Sequence, residues 1–332
     1  MKLNNSITDV PGIRVGHAQN DEAFTGCTVV LCEGGAVGGV DQRGGAPGTR
    51  ETDALHPMHV VEHVHAVMLA GGSVFGLDAA TGAVRYLEER GVGLNVGVVK
   101  VPIVPSAILF DLAFGRADVR PDAAMGYQAC QNASSDPPAE GNVGAGCGAT
   151  VGHILGMGQA MKSGIGCASQ DLGQGVVVGA IAAVNPLGDV VDPSNGLILA
   201  GTRALQKGPI RIGGLDYFAD TLAVMKTLVG RTVLNFAARG HTVIGVVATN
   251  ASLNKEQINK VAQMAQDGLA RAVRPAHTMH DGDTIFALST GNKKVDVNIV
   301  GAFAAEVFAQ AIVRAVKAAK PAGGLPAWSD LQ

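Results

Sequence analysis

Four stretches carry residue types that could do chemistry. In His277-Thr278-Met279-His280-Asp281-Gly282-Asp283-Thr284, two carboxylates stand two residues apart with a glycine between them. Such a pair can face one point, where it would bind a cation, orient an amine or share a proton. The same residues would also serve as an Asx-type turn closing a helix-to-strand connection. In His56-Pro57-Met58-His59-Val60-Val61-Glu62-His63-Val64-His65, His59, Glu62 and His63 have the H-x-x-E-H spacing of inverted zinc peptidases. On a helix, His59 and His63 would share a face and could hold zinc, with Glu62 as base, although no third ligand is identifiable. The plainer alternative is a His-rich, partly exposed helix. Gly71-Gly72-Ser73-Val74-Phe75-Gly76 sits between a strand and a helix, as a nucleophile elbow would. Phe75, however, occupies the place where an elbow needs glycine, so Ser73 reads as a helix N-cap. Last, Gly240-His241-Thr242 opens a β-branched run, and Thr242 alone is simply the first residue of a strand.

The elements that must position these groups alternate along the chain. Residues 27–32 form a short β-branched strand. The segment 56–65 has helical character and leads into an apolar strand at 66–70. Val74, Leu77, Ala80, Val84 and Leu87 recur at helical spacing and predict an amphipathic helix over about 74–90. Residues 141–148 are a glycine-dense, turn-rich connection without a phosphate-binding or dinucleotide fingerprint. The apolar run 175–184 ends at Asn185-Pro186 and reads as a buried central strand. A helix near 217–228, a strong strand at 242–249, a helix from 252 to about 273, a strand at 285–288 and an Ala-rich helix at 302–320 follow. Strands and helices mix throughout, so the fold class is α/β (α+β layered).

Composition narrows the function classes. Of 332 residues, 47% are hydrophobic and only 16% charged, which predicts a large buried core. Aromatics are 4%, so that core is built from aliphatic side chains. The 25 basic and 28 acidic residues leave a net charge of −3 with no basic stripe, which argues against nucleic acid as a partner. The longest near-apolar run is about half a bilayer span, so no membrane association is expected. The N-terminal segment lacks a signal-peptide pattern, and the five cysteines include no CxxC; both fit a cytoplasmic protein with reduced thiols.

Several stretches together resemble one family. They are residues 7–17 (ITDVPGIRVGH), 43–53 (RGGAPGTRETD), 69–78 (LAGGSVFGLD), 104–111 (VPSAILFD), 185–189 (NPLGD) and 277–286. In this order they are similar to the L-aminopeptidase/D-esterase group of self-cleaving hydrolases, with its β-aminopeptidases and nylon-oligomer endo-hydrolases. The resemblance covers nearly the whole chain. It implies helices sandwiching two β-sheets, an αββα arrangement like that of N-terminal-nucleophile hydrolases but differently connected. It implies a single catalytic domain over 1–332, cut into an α chain 1–241 and a β chain 242–332, with Thr242 as the new N-terminal nucleophile. It further implies a small peptide or amide substrate, no cofactor, and a homotetramer of α/β heterodimers.

The chemistry of that reading is coherent. A threonine hydroxyl is weak until a base takes its proton. A free α-amine, with a reference pKa of about 7.7–8.0, can serve as that base, whereas an amide nitrogen cannot. Thr242 would first attack the His241 carbonyl, an N-to-O acyl shift whose ester water then releases. By resemblance, Asp281 and Asp283 hold and polarise the Thr242 ammonium and hydroxyl. Asn185 stands near the oxyanion, a stabilisation worth about 2.7–4 kcal/mol for one donor. Three positions depart from the family pattern: His241 stands where relatives have Asn or Gly, His153 where many have Lys, and Phe110 where some have Tyr. A histidine at 153 would be partly charged near neutrality. The alternatives are a zinc peptidase built on His59, Glu62 and His63, or an uncleaved, non-catalytic relative. The Ala-Thr-Met-Leu cut-site signature of the ornithine acetyltransferases is missing.

Overall fold

The computed structural model describes residues 3–207, 210–212, 217–228, 230 and 240–332. Nine strands join in one hydrogen-bonded sheet: β1 (Arg14–Asn20), β2 (Thr25–Gln42), β3 (Thr49–Arg50), β4 (His63–Ala70), β5 (Ser106–Ile108), β6 (Ile165–Asp171), β7 (Val177–Asn185), β8 (Thr242–Ala251) and β9 (Thr284–Lys293). Their spatial order is β6-β7-β8-β9-β2-β4-β5-β3, with β1 on the other edge of the first half of β2. Two neighbouring pairs, β8/β9 and β4/β5, are parallel. Five helices are described: α1 (Ala79–Glu88), α2 (Ala123–Gln131), α3 (Thr221–Met225), α4 (Lys255–Ala272) and α5 (Val297–Ala318).

The expected two sheets are two halves of this one sheet, and the long strand β2 joins them. Its residues 25–31 pair with β1, and its residues 37–42 pair with β9. A register shift between Leu31 and Ala36 separates the two regimes. Period-two alternation then sorts side chains into three cores. Ile244, Val246 and Ala248 of β8 face inward with Val30, Val67, Leu69 and Phe286, between the two half-sheets. Val243 and Val247, on the opposite face of β8, pack against Val261, Leu269 and Phe308 of α4 and α5. Ala66 and Met68 of β4 pack against Ala80, Ala83 and Leu87 of α1. The order is therefore helices, half-sheet, half-sheet, helices, the αββα layering anticipated from the sequence.

The termini of the helices follow from local chemistry. Asn254 caps α4 in a reciprocal box with Gln257, at 2.9 and 3.0 Å. Asp296 caps α5 through the Asn298 amide at 2.8 Å. By length and composition α5 could cross a membrane, yet 61% of its apolar window is buried inside the fold. Helices α1 and α2 meet backbone to backbone at two glycines. A Cβ on Gly82 would lie 1.9 Å from the Ala123 carbonyl, and one on Gly126 would lie 1.9 Å from that of Ala79.

Four points of the sequence reading are corrected. Residues 56–65 form no helix: β4 already begins at His63, and Ala66, Met68 and Ala70 alternate across the sheet with Val67 and Leu69. The helix expected from 74 begins at Ala79, after a 3-10 segment Ser73–Asp78, and Ser73 caps nothing; Gly72 takes the cap position without a side-chain bond. Helix α2 was not anticipated, since its nine residues include two glutamines, a tyrosine and a glycine and carry little apolar periodicity. Of the helix expected near 217–228, α3 forms Thr221–Met225, while residues 217–220 are not helical.

Adding a methyl group at the α1/α2 crossing tests this packing. Gly126→Ala should lower stability by about 1–3 kcal/mol or more, read as a reduced urea midpoint. An unchanged midpoint would mean that the helices do not approach this closely.

Candidate functional site

Thr242 is the first residue of β8 and is 3% exposed. Its antiparallel partner on β7 is Asn185. On its other side the chain approaches β9 in parallel, so Asp281-Gly282-Asp283 runs alongside His241-Thr242-Val243. The backbone hydrogen bonds fix this alignment. The His241 amide donates to the His280 carbonyl at 3.1 Å, and the Gly282 amide donates to the His241 carbonyl at 2.8 Å. That same Gly282 amide lies 3.2 Å from the Thr242 Oγ1, and the Thr242 hydroxyl donates to the His241 carbonyl oxygen. Hydroxyl, carbonyl and amide donor thus meet at one peptide bond.

Position 282 has to be glycine. A Cβ there would lie 2.7 Å from the Ala46 carbonyl and 2.9 Å from the Thr242 Oγ1. The segment after β2 closes over this turn. The Arg43 amide donates to the Asp283 carbonyl at 3.0 Å, and the Ala46 amide donates to the Asp281 carbonyl at 2.9 Å. Gly44 allows it, since a Cβ there would sit 2.1 Å from the Asp281 carbonyl oxygen.

The two carboxylates flank the bond. Asp283 accepts the Val243 amide on Oδ1 at 2.8 Å, and the His277 amide and Nδ1 on Oδ2, each at 2.9 Å. Asp281 accepts the Leu187 amide at 3.2 Å, the Thr278 amide at 3.1 Å, and the Thr278 hydroxyl. Burial, and then the charge of Asp283, push Asp281 up to about 6. A carboxyl in that range can hold or release a proton near neutrality.

On the β7 side a chain of hydrogen bonds fixes Asn185. The His153 Nδ1 meets the Pro186 carbonyl at 3.0 Å, so Nδ1 carries the proton. Its Nε2 then accepts from the Thr150 hydroxyl at 2.7 Å. The Thr150 amide donates to the Asn185 Oδ1 at 2.9 Å. With its oxygen claimed, Asn185 points Nδ2 at the carbonyls of Phe110 (3.1 Å) and Gly240 (3.4 Å). Burial pushes His153 down to about 4, so it is neutral rather than partly charged as expected. Its ring stacks on His241 with centroids 4.3 Å apart. The glycine-rich turn that carries Thr150 is held by Lys162, which is fully buried. Its ammonium donates to the carbonyls of Gly146, Ala149 and Ser163. Burial lowers it to about 7.

Thr242, Asn185, Asp281, Asp283 and His153 therefore gather within one neighbourhood. In the continuous chain, the donor on the His241 oxygen is the Gly282 amide, while Asn185 serves the neighbouring Gly240 carbonyl. Gly282, Thr150, His277 and Lys162 were not anticipated. Gly282 and His277 lie inside a matched motif, but their roles depend on backbone amides or on bonds across the sheet, which spacing does not reveal. The zinc arrangement does not form. Residues 60–62 are irregular and His63 is in β4, so His59 and His63 share no helical face. Among the described residues no group of three His, Cys, Asp or Glu side chains is disposed to hold a metal.

Comparison with known proteins agrees with this architecture. Residues 5–327 match peptidase family S58. The chain is similar to an uncharacterized aminopeptidase of Mycobacterium tuberculosis, 44% identical, with 98% of each chain covered. It is similar to a 6-aminohexanoate-oligomer endohydrolase of Kocuria, 31% identical over 93% of this chain and 85% of that one. In structure it resembles a Burkholderia β-aminopeptidase, with a TM-score of 0.67, 23% identity and coverage of 96% and 89%. It also resembles the L-aminopeptidase D-Ala-esterase/amidase of Ochrobactrum anthropi, described as a variant of the Ntn hydrolase fold, with a TM-score of 0.69, 19% identity and coverage of 95% and 86%.

The raised carboxyl makes a signed prediction. Asp281 in the folded chain titrates near 6, above its ordinary 3.8, so the folded state binds its proton more readily than the unfolded state. Its contribution to stability is present at low pH and is lost as pH rises through this window. In Asp281→Asn that loss is absent. The difference in thermal midpoint, variant minus wild type, should rise from pH 4 to pH 7. A flat difference would show that Asp281 is not raised.

Proposed function

The chain belongs to peptidase family S58 and is a hydrolase of amide bonds, and from that premise we propose that Thr242 is its nucleophile, freed by self-cleavage of the His241–Thr242 bond. One observation carries the proposal. The Thr242 hydroxyl is hydrogen-bonded to the carbonyl of the bond to be cut, and the Gly282 amide donates to the same oxygen at 2.8 Å. The threonine oxygen attacks the His241 carbonyl carbon, and the Gly282 amide takes up the charge that develops on its oxygen. The C–N bond breaks, the Thr242 nitrogen gains a proton and becomes an amine, and His241 is left as an ester on the threonine oxygen. Water hydrolyses that ester to a His241 carboxylate and restores the hydroxyl. The Asp281/Asp283 pair flanks this bond, and Asp281 titrates in the range needed to move the proton.

The mature amine then deprotonates its own hydroxyl, and the same donors serve an incoming amide. The names of the similar proteins favour short amides bearing an amino group, α-amino, β-amino or aminohexanoate, as substrates. The same reading assembles the cut chains into a homotetramer of α/β heterodimers in the cytoplasm, with neither nucleic acid nor membrane as partner. Five free, buried cysteines support a reducing compartment. An exposed apolar arm around Val96, Val98 and Val99 supports association.

Intact mass and N-terminal sequencing test the nucleophile. The wild type should give two fragments divided before Thr242, whereas Thr242→Ala should stay whole and hydrolyse nothing. Thr242→Ser should still divide and turn over. An undivided wild type that is fully active overturns the proposal.

A further inference from the structure

Backbone strain marks one residue beside the site. His277 has φ +57°, in the left-handed region that side chains rarely adopt. Strain of this kind persists where the surroundings over-determine it, and it gathers at functional positions. Here its effect is visible. The turn brings the His277 amide and its ring Nδ1 onto the same oxygen, Asp283 Oδ2, each at 2.9 Å. The other oxygen of Asp283 accepts the amide of Val243, the residue after the nucleophile, at 2.8 Å. Both oxygens are claimed, so the plane of the carboxylate is locked to the strand that begins with Thr242.

We infer that His277 is a positioning residue, which aims Asp283 at the reacting end of β8. The inference deepens the reading of Thr242 as nucleophile and rests on it. Two further observations support it. Asp283 is 1% exposed, so solvent is poorly placed to replace a lost partner. The ring Nε2 of His277 is buried and makes no hydrogen bond among the described residues, so Nδ1 to Asp283 is the ring's polar anchorage. A carboxylate oxygen accepts, so the contact is made through Nδ1–H of the ring. Removing the ring leaves each oxygen of Asp283 with a single backbone donor and loosens the carboxylate.

Two variants separate aiming from folding, because both tolerate the left-handed backbone. His277→Gly keeps the amide donor, relieves the strain and loses the ring donor. His277→Asn keeps an N–H close to the position of Nδ1. The readouts are the rate of division before Thr242, kcat and KM on a panel of aminoacyl p-nitroanilides, and the thermal midpoint. In the glycine variant both rates should fall about tenfold or more, with KM within about twofold and the midpoint not lowered. Asparagine should recover most of that loss. A glycine variant that divides and turns over at the wild-type rate overturns the inference. So does a loss that falls on KM or on the midpoint, or one that asparagine does not repair. A wild type that never divides, with Thr242→Ala equally active, removes the nucleophile reading itself and is recognised without any variant at 277.

Discussion

A single backbone amide without a side chain beside it organises this site. Gly282 must come within hydrogen-bonding distance of both the His241 carbonyl and the Thr242 hydroxyl, and a Cβ there would collide with Ala46 and with the hydroxyl itself. Once that approach is made, the rest is placed by register. Parallel pairing puts Asp281 beside His241 and Asp283 beside Val243, and antiparallel pairing on the other edge puts Asn185 opposite Thr242. The chemistry-bearing residues thus come from three neighbouring strand ends of one rigid sheet, which holds them more firmly than loops would.

The loops around those strand ends are dense in glycine, and buried ionisable groups help to hold them. Lys162 gathers three carbonyls of the 146–163 region. Asp111, pushed up to about 6 by burial, ties the Gly72 amide and the Thr25 hydroxyl together at 2.7 Å each. Asp189, also near 6, joins the Thr202 and Thr221 amides at 2.8 and 2.6 Å. Each is surrounded by backbone or hydroxyl groups that offset its desolvation, as buried ions require. Glycines bring no side chains of their own to the packing, so polar anchorage adds to the hydrocarbon that these turns bury.

Much of the scaffold was legible in the amino-acid pattern, and the reasons differ by element. The run 242–249 is dense in β-branched residues on both sides of Gly245, and α4 and α5 carry long apolar stripes, so those elements form as read. The layering and the cluster of Thr242, Asn185, Asp281 and Asp283 were reached through motif resemblance; their spacing in the chain would not have joined them. The histidines at 56–65 misled because helix and strand periods are hard to separate in a short apolar run, and there the sheet decided. Gly282, Thr150 and His277 escaped notice because they act through main-chain amides or through one hydrogen bond to a distant element. Such roles exist only once the register is set.

The placement of β8 and β9 has a consequence for what a break at 241–242 would leave behind. Both strands lie inside the sheet, β8 against β7 and β9 against β2, while α4 and α5 line the core below them. The downstream piece would therefore be interleaved with the upstream one and could not be lost by dilution. Scission would be a one-way event, irreversible in connectivity yet nearly silent in shape. Neither piece could be expected to rebuild the partnership alone, since each lacks the other's central strands. Under that reading the order of events would be fixed as well: assembly of the whole chain first, then a single incision that no later unfolding and refolding could repeat.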